Sequence, residues 1–309
     1  MAGSSPGSGG KARAQGAPAA PVCRLGLIGR GIQRSKSPAL HEAEARAQGF
    51  TCTYELLDLE KLGFGLERLP DLLRQASEQG FAGLNITHPC KQAVIPLLDE
   101  LSPEAQSVGA VNTVHFHAGR RIGYNTDAWG FSESFRRGLS GASVAQVVQV
   151  GAGGAGAATG FSLLELGARA LVIVDLDEVR GARLAANLAR RFADREVRAG
   201  RDLAAELAGA NGIVNCTPIG MPAHPGSAVP AALLRPDLWV ADIVYTPLET
   251  QLLRDAAHAG CRTLNGGRMA VFQAARAFEI FTGRVADAER MLRHFNELAS
   301  TPEVPTASV

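Results

Sequence analysis

The sequence predicts an α/β protein of two domains built on mostly parallel sheets. Short apolar stretches alternate with helical patterns along nearly the whole chain, which is typical of β–α–β units. A length of 309 residues suggests about two domains. A glycine-rich turn lies near the middle of the chain, so enough residues precede it to form a domain of their own.

Composition and charge exclude several classes of protein. With 46% hydrophobic residues and a net charge of +1, the chain is not expected to bind nucleic acid or a membrane surface. No apolar stretch is long enough to span a bilayer. Residues 1–21 lack the apolar region of a secretory signal and are predicted to form a flexible tail. Five scattered cysteines show no zinc-type spacing, so we expect reduced thiols, a cytoplasmic location and no metal site.

Ahead of the glycine turn, apolar runs and helical spacing indicate alternating elements. The first helix is predicted to have Ser37 as its N-cap and Pro38 at its first position. The strand over 111–117 is predicted to turn at Ala118-Gly119. Strands are predicted over 24–29, 51–59, 81–86 and 111–117, and helices over 38–48, 66–78, 88–98 and 127–139.

The glycine turn has the sequence context of a dinucleotide site. A β-rich stretch, 143–150, leads into Gly151-Ala152-Gly153-Gly154-Ala155-Gly156, a helix follows over 157–167, and the next strand, 170–174, ends at Asp175. The glycines permit a tight turn and close approach of a pyrophosphate, and the helix N-terminus favours the anion. An acid about 20 residues on is placed to bind a ribose hydroxyl. This context predicts a Rossmann doubly wound sheet; the alternative is a glycine turn that binds nothing.

Beyond the second nucleotide strand the alternation continues to the end of the chain. Helices are predicted over 179–192, 202–208, 248–260, 268–281 and 286–298, and strands over 212–215 and 238–244. We assign 22–126 to a substrate domain and 127–266 to the dinucleotide domain, with an active-site cleft between them. The C-terminal helices, 267–298, have no strand partner and could return to the substrate domain, which would make that domain discontinuous. A frayed tail is predicted over 299–309.

Polar residues of the first domain cluster where its predicted strands end, the edge at which open α/β sheets bind ligands. Hydroxyl and amide groups suit a small polyol, and one Lys with one Asp could form a proton-transfer pair. Simpler explanations exist: the hydroxyls and Asp127 could only cap helices, Lys91 could be a solvated surface lysine, and Asn112 could only hold a turn. The clustered residues are Ser35, Ser37, Asn85, Thr87, Lys91, Asn112 and Asp127.

At these positions the chain resembles the shikimate dehydrogenases. The resemblance covers residues 22 to about 298, and the stretches after Asn85 and after Met221 resemble the quinate/shikimate dehydrogenase branch most closely. The matching motifs are S-K-S-P at 35–38, N-I-T-H-P at 85–89 with Lys91, G-A-V-N-T at 109–113, N-T-D at 125–127, the glycine turn, N-C-T-P-I-G-M at 215–221 and G-R-M-A-V-F-Q at 267–273.

The resemblance implies a role for each matching residue. Lys91 and Asp127 are implied to be the catalytic pair, in a hydride transfer at the 3-hydroxyl of shikimate or quinate. The helix that carries Gln273 is implied to return to the substrate domain. Residues implied to hold the substrate are Ser35, Ser37, Asn85, Thr87, Asn112, Tyr245 and Gln273. Residues implied to hold the cofactor are Gly151, Ala152, Gly153, Gly154, Ala155, Asp175, Arg180, Cys216, Thr217, Pro218, Val244 and Gly266.

The stretch Asp175-Leu176-Asp177 favours NAD as the cofactor. A carboxylate suits a ribose diol and repels a 2′-phosphate, and NADP-using members typically have Asn-Arg-Thr at this place. Arg180 could hold Asp175 in place or bind a phosphate, so NADP is the less favoured alternative. Ser37 stands where quinate-preferring relatives are expected to have Thr, so shikimate and quinate are both retained as substrates.

Other functions stay open. The retained Lys91, Asp127 and glycine turn argue against a non-catalytic sensor of quinate-pathway metabolites. A folate dehydrogenase of similar build would need an aromatic stacking surface, but only 6% of the residues are aromatic. An aminoshikimate-pathway dehydrogenase fits the same pocket. His115 and His117 lack a carboxylate or Cys partner, so we interpret them as surface residues. The partner is expected to be a small molecule, and the sequence does not decide between a monomer and a homodimer.

Overall fold

The computed structural model describes residues 22–300 as two six-stranded sheets with helices packed against them. The predicted tail over 1–21 lies outside the described residues. The predicted tail over 299–309 also lies outside them, apart from residues 299 and 300, which belong to the last helix.

The strands of the first sheet are β1 (Val22–Gly29), β2 (Thr51–Asp58), β3 (Gly83–Ile86), β4 (Glu100–Leu101), β5 (Thr113–His117) and β6 (Arg120–Tyr124). Those of the second are β7 (Gln146–Val150), β8 (Ala170–Val174), β9 (Glu196–Gly200), β10 (Gly212–Asn215), β11 (Trp239–Asp242) and β12 (Arg262–Leu264). The helices are α1 (Ser37–Ala47), α2 (Leu69–Glu78), α3 (Cys90–Ala93), α4 (Pro103–Val108), α5 (Thr126–Gly138), α6 (Gly154–Glu165), α7 (Glu178–Arg191), α8 (Leu203–Leu207), α9 (Gln251–His258), α10 (Gly266–Thr282) and α11 (Ala288–Ser300).

The second sheet is the predicted doubly wound sheet. Its order is β12-β11-β10-β7-β8-β9, and every pair of neighbours is parallel. The chain order reverses between β7 and β10, which makes a crevice at the carboxyl ends of these strands. The glycine turn starts at that point. The prediction of a Rossmann fold for this half is therefore confirmed.

The first sheet is mixed, in the order β2-β1-β3-β5-β6-β4. Strands β1, β2 and β3 are parallel, whereas β5 runs antiparallel to both β3 and β6. The hairpin between β5 and β6 turns at Ala118 and Gly119 as predicted, both with positive φ (49° and 75°). The carboxyl ends of β1 and β3 thus lie side by side at one edge of the sheet.

Several predicted elements need correction. The helix predicted over 88–98 is wrong: α3 begins only after Pro89 and has four residues, and a short 3₁₀ turn follows because Pro96 lacks the N–H that a continued helix would need. Ser37 is not an N-cap, since α1 begins at Ser37 and Lys36 occupies the cap position without a side-chain bond. The elements that the sequence did not predict are β4, β6, β9, β12 and α4. Strands β9 and β12 lie at the two edges of their sheet and are largely exposed, so they lack an apolar signal.

The C-terminal helices pack against the first half of the chain. A Cβ on Gly83 of β3 would lie 2.3 Å from a ring carbon of Phe281, so α10 approaches that strand closely. Helix α11 is joined to α1 by an ion pair of 2.7 Å between Arg290 and the buried carboxylate of Glu44. The first sheet is therefore covered by helices from both ends of the sequence.

Two further observations concern partners. Within residues 22–300, no helix combines the length and the apolar character needed to cross a membrane. In the same range, no three His, Cys, Asp or Glu side chains are grouped as a metal ion would require. The rings of His115 and His117 lie 5.4 Å apart on β5, the first half-buried and the second exposed, as predicted for a surface pair.

Candidate active site

The centre of the candidate site is an ion pair between Lys91 and Asp127. Lys91 lies on α3, directly after β3, and Asp127 lies in the first turn of α5. The Lys91 Nζ is 2.5 Å from the Asp127 Oδ2, and the two side chains are only 16% and 9% exposed. Asp127 is not a helix cap, because Asn125 caps α5 by accepting from the amide of Ala128. Lys91 is likewise not a solvated surface lysine.

The second carboxylate oxygen of Asp127 is bound as well. The Asn112 Nδ2 donates to the Asp127 Oδ1 at 2.8 Å, and the Asn112 Oδ1 accepts from the amide of Thr126 at 2.8 Å. Asn112 therefore holds the start of α5 and orients the carboxylate at the same time. An ammonium group has three N–H donors, so Lys91 can give one to Asp127 and still bind a hydroxyl.

Gln273 reaches this cluster from the C-terminal helix α10. Its Oε1 lies 3.4 Å from both the Asn112 Nδ2 and the Thr126 Oγ1, and its Nε2 donates to the carbonyl of Ala270. The approach depends on Gly130 of α5, where a Cβ would lie 2.9 Å from the backbone nitrogen of Gln273. Thr126 is a site residue that sequence reasoning missed, although its motif, N-T-D, was singled out.

Tyr245 comes to the same place from the second half of the chain. It follows β11, and its ring lies 6.4 Å from that of Phe295 on α11. Although 39% of the Tyr245 surface is exposed, desolvation of the phenol raises its pKa, and the nearby charge of Asp127 raises the pKa further, so the phenol is neutral. The two halves of the chain therefore meet around Asp127.

Ser35, Ser37 and Thr87 lie at the carboxyl ends of β1 and β3, and all three are half-buried. The amide of Ser37 donates to the Ser35 Oγ at 3.2 Å. Gly29 allows Thr87 to approach, because a Cβ on Gly29 would be 2.3 Å from the Thr87 Cγ2. The Ser35 Oγ therefore accepts the first amide of α1, whereas the residues at the N-cap positions of α1 and α3, Lys36 and Pro89, make no side-chain cap bond.

Asn85 differs from the other predicted substrate residues. The Tyr54 hydroxyl donates to its Oδ1 at 2.8 Å, and its Nδ2 donates to the Thr113 Oγ1 at 3.1 Å and to the carbonyl of Asn112 at 3.3 Å. Because both ends of the buried amide are satisfied internally, Asn85 supports the wall of the site. Tyr54 was missed by sequence reasoning, although the inward-facing positions of β2 alternate in a way that could have indicated it.

The glycine turn begins with Gly151, whose φ of 101° is one that L side chains rarely adopt. A Cβ there would be 2.8 Å from the carbonyl carbon of Cys216 and 3.0 Å from the Thr217 Cγ2, so the turn packs against the end of β10. Gly153, Gly154 and Ala155 form the start of α6, where the first N–H groups have no helical acceptor. This end of α6 suits an anionic group such as a pyrophosphate.

Asp175 is held at the end of β8 by four hydrogen bonds from three residues. Arg180 binds it through two bonds of 2.6 and 3.1 Å, and the amides of Ala152 and Asp177 donate at 2.7 and 2.8 Å. Burial alone would raise the pKa of Asp175, but the hydrogen bonds lower it below its usual range, so the group is a carboxylate at neutral pH. Arg180 is thus bound to Asp175 in this structure.

The remaining predicted cofactor residues lie at the same edge of the second sheet. The amide of Val244 is bound by Asp242, and the amide of Gly266 donates to the carbonyl of Val244. A Cβ on Gly266 would be 2.3 Å from the carbonyl oxygen of Ile243, so only glycine fits there. Pro218 is exposed and follows Thr217 directly. The glycine turn, the N-terminus of α6 and the carboxylate of Asp175 together fit a dinucleotide.

Lys91 also contacts the glycine turn. A Cβ on Gly154 would lie 3.3 Å from the Lys91 Cδ and 3.5 Å from its Cβ. The aliphatic part of the lysine therefore packs on the first residue of α6, across the boundary between the two sheets. The structure thus places Lys91 of the predicted catalytic pair beside the predicted cofactor turn.

Two family models match the chain. The substrate-binding domain of shikimate dehydrogenase matches residues 27–114, and the shikimate 5′-dehydrogenase C-terminal domain matches residues 267–294.

Among curated proteins, the chain is 55% identical to a shikimate dehydrogenase (NADP(+)) of Streptomyces avermitilis, over 91% of this chain and 97% of that protein. It is 48% identical to a quinate/shikimate dehydrogenase (NAD(+)) of Corynebacterium efficiens, over 89% and 98% of the two chains. Among solved structures, the quinate dehydrogenase of Corynebacterium glutamicum in complex with NAD superposes with a TM-score of 0.84 at 45% identity, covering 89% of this chain and 99% of that one.

Proposed function

The chain belongs to the shikimate dehydrogenase family, and we propose that it is the NAD-preferring kind, which oxidises shikimate and quinate at the 3-hydroxyl. Its activity is that of an oxidoreductase acting on a CH–OH group. The observation that carries the proposal is the contact of Lys91 with Asp127 on one side and with Gly154 of the glycine turn on the other.

In the proposed reaction Lys91 and Asp127 handle the proton of the reacting hydroxyl. The nicotinamide dinucleotide, when bound, accepts or supplies the hydride. In one route Lys91 enters the oxidation as an amine, takes the hydroxyl proton to become the ammonium, and returns that proton during reduction. In the other route the ammonium stays protonated and stabilises the developing alkoxide by donating an N–H bond. Asp127, bound by Asn112 at its other oxygen, orients the lysine and accepts a hydrogen bond from the hydroxyl.

The substrate proposed for the pocket is a cyclic polyol acid. Ser35, Ser37 and Thr87 at the strand ends offer hydroxyls to the carboxylate and ring hydroxyls, and the Asn112 and Gln273 amides offer both donors and acceptors. Tyr245 contributes from the other half of the chain. Asn85, with its amide fully bound, is proposed to support this wall. Relatives named for shikimate alone and for both quinate and shikimate are consistent with dual use.

We propose NAD because Asp175 leaves no place for a 2′-phosphate. Its carboxylate repels that group, and Arg180, which could otherwise attract it, is engaged by two bonds to Asp175. The relatives' names include both cofactors, and the one named for NADP is the more similar overall. For the choice between NAD and NADP we therefore rely on the Asp175–Arg180 pair rather than on overall sequence identity.

The proposal includes the division of the chain. Residues 22–126 with 267–298 form the substrate domain and residues 127–266 the dinucleotide domain, with the cleft between them. A small-molecule partner and a cytoplasmic location are part of the same proposal.

A steady-state matrix of shikimate and quinate against NAD and NADP tests this function. We expect both substrates to reduce NAD, with a higher kcat/KM for NAD than for NADP. A higher efficiency with NADP would contradict the cofactor assignment. Ligand-induced fluorescence changes without NADH formation would instead identify a metabolite sensor. Including aminoshikimate as a third substrate checks the aminoshikimate-pathway alternative.

A further inference from the structure

Gln149 is a buried polar residue in a strand that should be apolar throughout. It lies in β7, two residues before the glycine turn, and is 0% exposed. Central strands of parallel sheets are covered on both faces and are normally apolar at every position. A buried amide is costly unless its donors and acceptors are paired. Its presence here calls for a specific interaction.

The amide nitrogen of Gln149 makes two hydrogen bonds to the glycine turn. The Nε2 donates to the carbonyl of Gly151 at 2.8 Å and to the carbonyl of Gly156 at 2.9 Å. One side chain thus joins the first and last glycines of the turn. The Gln149 Oε1 is buried without a hydrogen-bond partner. The strand therefore tolerates an unpaired acceptor in order to keep the two donated bonds.

Two glycines of α6 make room for this amide. A Cβ on Gly156 would lie 3.0 Å from the Gln149 Nε2, and a Cβ on Gly160 would lie 3.1 Å from its Oε1. The two glycines are four residues apart and so face the same way along the helix. Other atoms lie closer still, since a Cβ on Gly156 would be 2.4 Å from the carbonyl oxygen of Gly151 and one on Gly160 would be 2.9 Å from the Leu188 Cδ1. Glycine weakens a helix interior, so close packing against the turn, the amide and α7 accounts for the two glycines together.

We propose that Gln149 is a positioning residue of the dinucleotide site: its amide fixes the glycine turn so that the N–H groups at the start of α6 face the pyrophosphate. Asp175 binds the amide of Ala152 from the outside of the turn, and Gln149 binds two carbonyls from the inside. With both sides held, residues 153–155 keep their N–H groups directed at the ligand. The inference rests on the proposed function only in taking NAD as the ligand.

The test replaces Gln149 with Met, which has a similar length but no donor. We expect the Kd for NAD and for ADP-ribose, measured by calorimetry, to rise about tenfold, since two hydrogen bonds that shape the turn are lost. Adenosine has no pyrophosphate, so its Kd, measured by ligand-observed NMR, should stay within about twofold. The kcat at saturating NAD should also change little, because the catalytic pair is untouched.

Val148→Ala is the matched control, because it removes buried packing from the same strand without touching either carbonyl. Equal losses for NAD and adenosine, or the same loss in Val148→Ala, would mean that the effect is general loosening and would overturn the inference. An unchanged NAD Kd in Gln149→Met would also overturn it. If that variant does not fold, Gln149→Asn, whose shorter amide cannot reach both carbonyls, should show the same ligand pattern. Failure of the unsubstituted protein to bind NAD would instead count against the proposed function.

Discussion

The two sides of the cleft are assembled by different means. On the substrate side, side chains from α3, α5, α10 and the residue before β5 converge, and bonded partners lie 14 to 161 residues apart in sequence. On the nucleotide side, backbone groups of residues 151–156 and one acid, Asp175, come from a single β–α–β unit. One site depends on the packing of the whole chain, and the other depends on local geometry.

This difference predicts how each side of the cleft responds to the loss of one side chain. Loss of one side chain on the substrate side removes chemistry that no neighbour replaces. Loss of one side chain on the nucleotide side leaves the backbone donors in place and changes affinity or selectivity. Substitutions should therefore fall into two classes, those that lower kcat and those that change cofactor binding, with little overlap between them.

The largest expected effect is that of Lys91→Ala. Removing the group that exchanges the proton should lower kcat by about 10³-fold, within the range for general acid–base catalysis. The Kd for NAD should remain within about twofold, because Lys91 touches the turn only through its aliphatic carbons. Steady-state kinetics and calorimetry measure the two quantities, with the exposed Lys61→Ala as control. A kcat that barely changes would refute the assignment of Lys91.

Glu44→Gln should give the next largest effect, which is a loss of stability rather than of activity. The Glu44 carboxylate is buried and binds Arg290, the amide of Asp287 and the Gln48 side chain, so it holds α11 against α1. We expect a loss of about 3 kcal/mol in the free energy of unfolding in urea. NAD affinity measured well below the transition should be unchanged. An unaltered unfolding midpoint would show that α11 does not depend on this ion pair.

The difference in the free energy of unfolding between the unsubstituted protein and Glu44→Gln should depend on pH. Burial alone would raise the pKa of Glu44, but its hydrogen bonds from Arg290, Asp287 and Gln48 lower the pKa below the unfolded value of 4.5. The contribution of Glu44 is then complete above about pH 5 and is lost as the pH falls through the folded pKa. Urea unfolding of both proteins between pH 7 and pH 3 should show the gap closing only at the acid end.

Asp175→Ala should change which cofactor is preferred. It removes the ribose acceptor and frees Arg180 to attract a 2′-phosphate, so the ratio of kcat/KM for NAD over NADP should fall about 100-fold. Glu178→Ala removes the same charge three residues further on and should leave the ratio unchanged. If both variants shift the ratio equally, net charge rather than the Asp175–Arg180 pair sets selectivity.

The smallest effect is expected for Tyr54→Phe. The ring is kept, but the Asn85 Oδ1 loses its donor and the wall of the pocket becomes less rigid. We expect kcat/KM for shikimate to fall about fivefold, the size of one buried hydrogen bond, with the Kd for NAD unchanged. Phe50→Leu, a packing change in the same apolar cluster, is the control. A change in the Kd for NAD would contradict the expectation that substitutions on the substrate side leave cofactor binding unaffected.

The same contrast explains what could be read from the sequence. The glycine turn, its flanking strands and Asp175 were predictable because strand, turn and helix are adjacent in the chain. Lys91, Asp127 and Asn112 could be named from residue type and resemblance, but their 2.5 and 2.8 Å contacts depend on long-range packing. The edge strands β9 and β12 carry no apolar pattern, so they were missed.

Buried polar residues were the hardest to interpret. Asn85 is predicted to bind the substrate, and the structure shows that its amide also binds Tyr54 and Thr113 inside the wall. Gln149 gave no signal, because a single Gln in an apolar strand does not reveal which carbonyls it will meet. In both cases the partner is decided by packing of a neighbouring element, Tyr54 for one and α6 for the other.

The return of α10 to the first sheet has a consequence for the order of synthesis. When residue 266 has been added to the growing chain, all six strands of the second sheet have been synthesised, whereas Gln273 and the ring of Phe281 that packs on Gly83 have not. Synthesis of the proposed dinucleotide domain is therefore finished before that of the proposed substrate pocket. We predict that a translation product that stopped after Gly266 would not turn over the substrate, because it lacks Gln273.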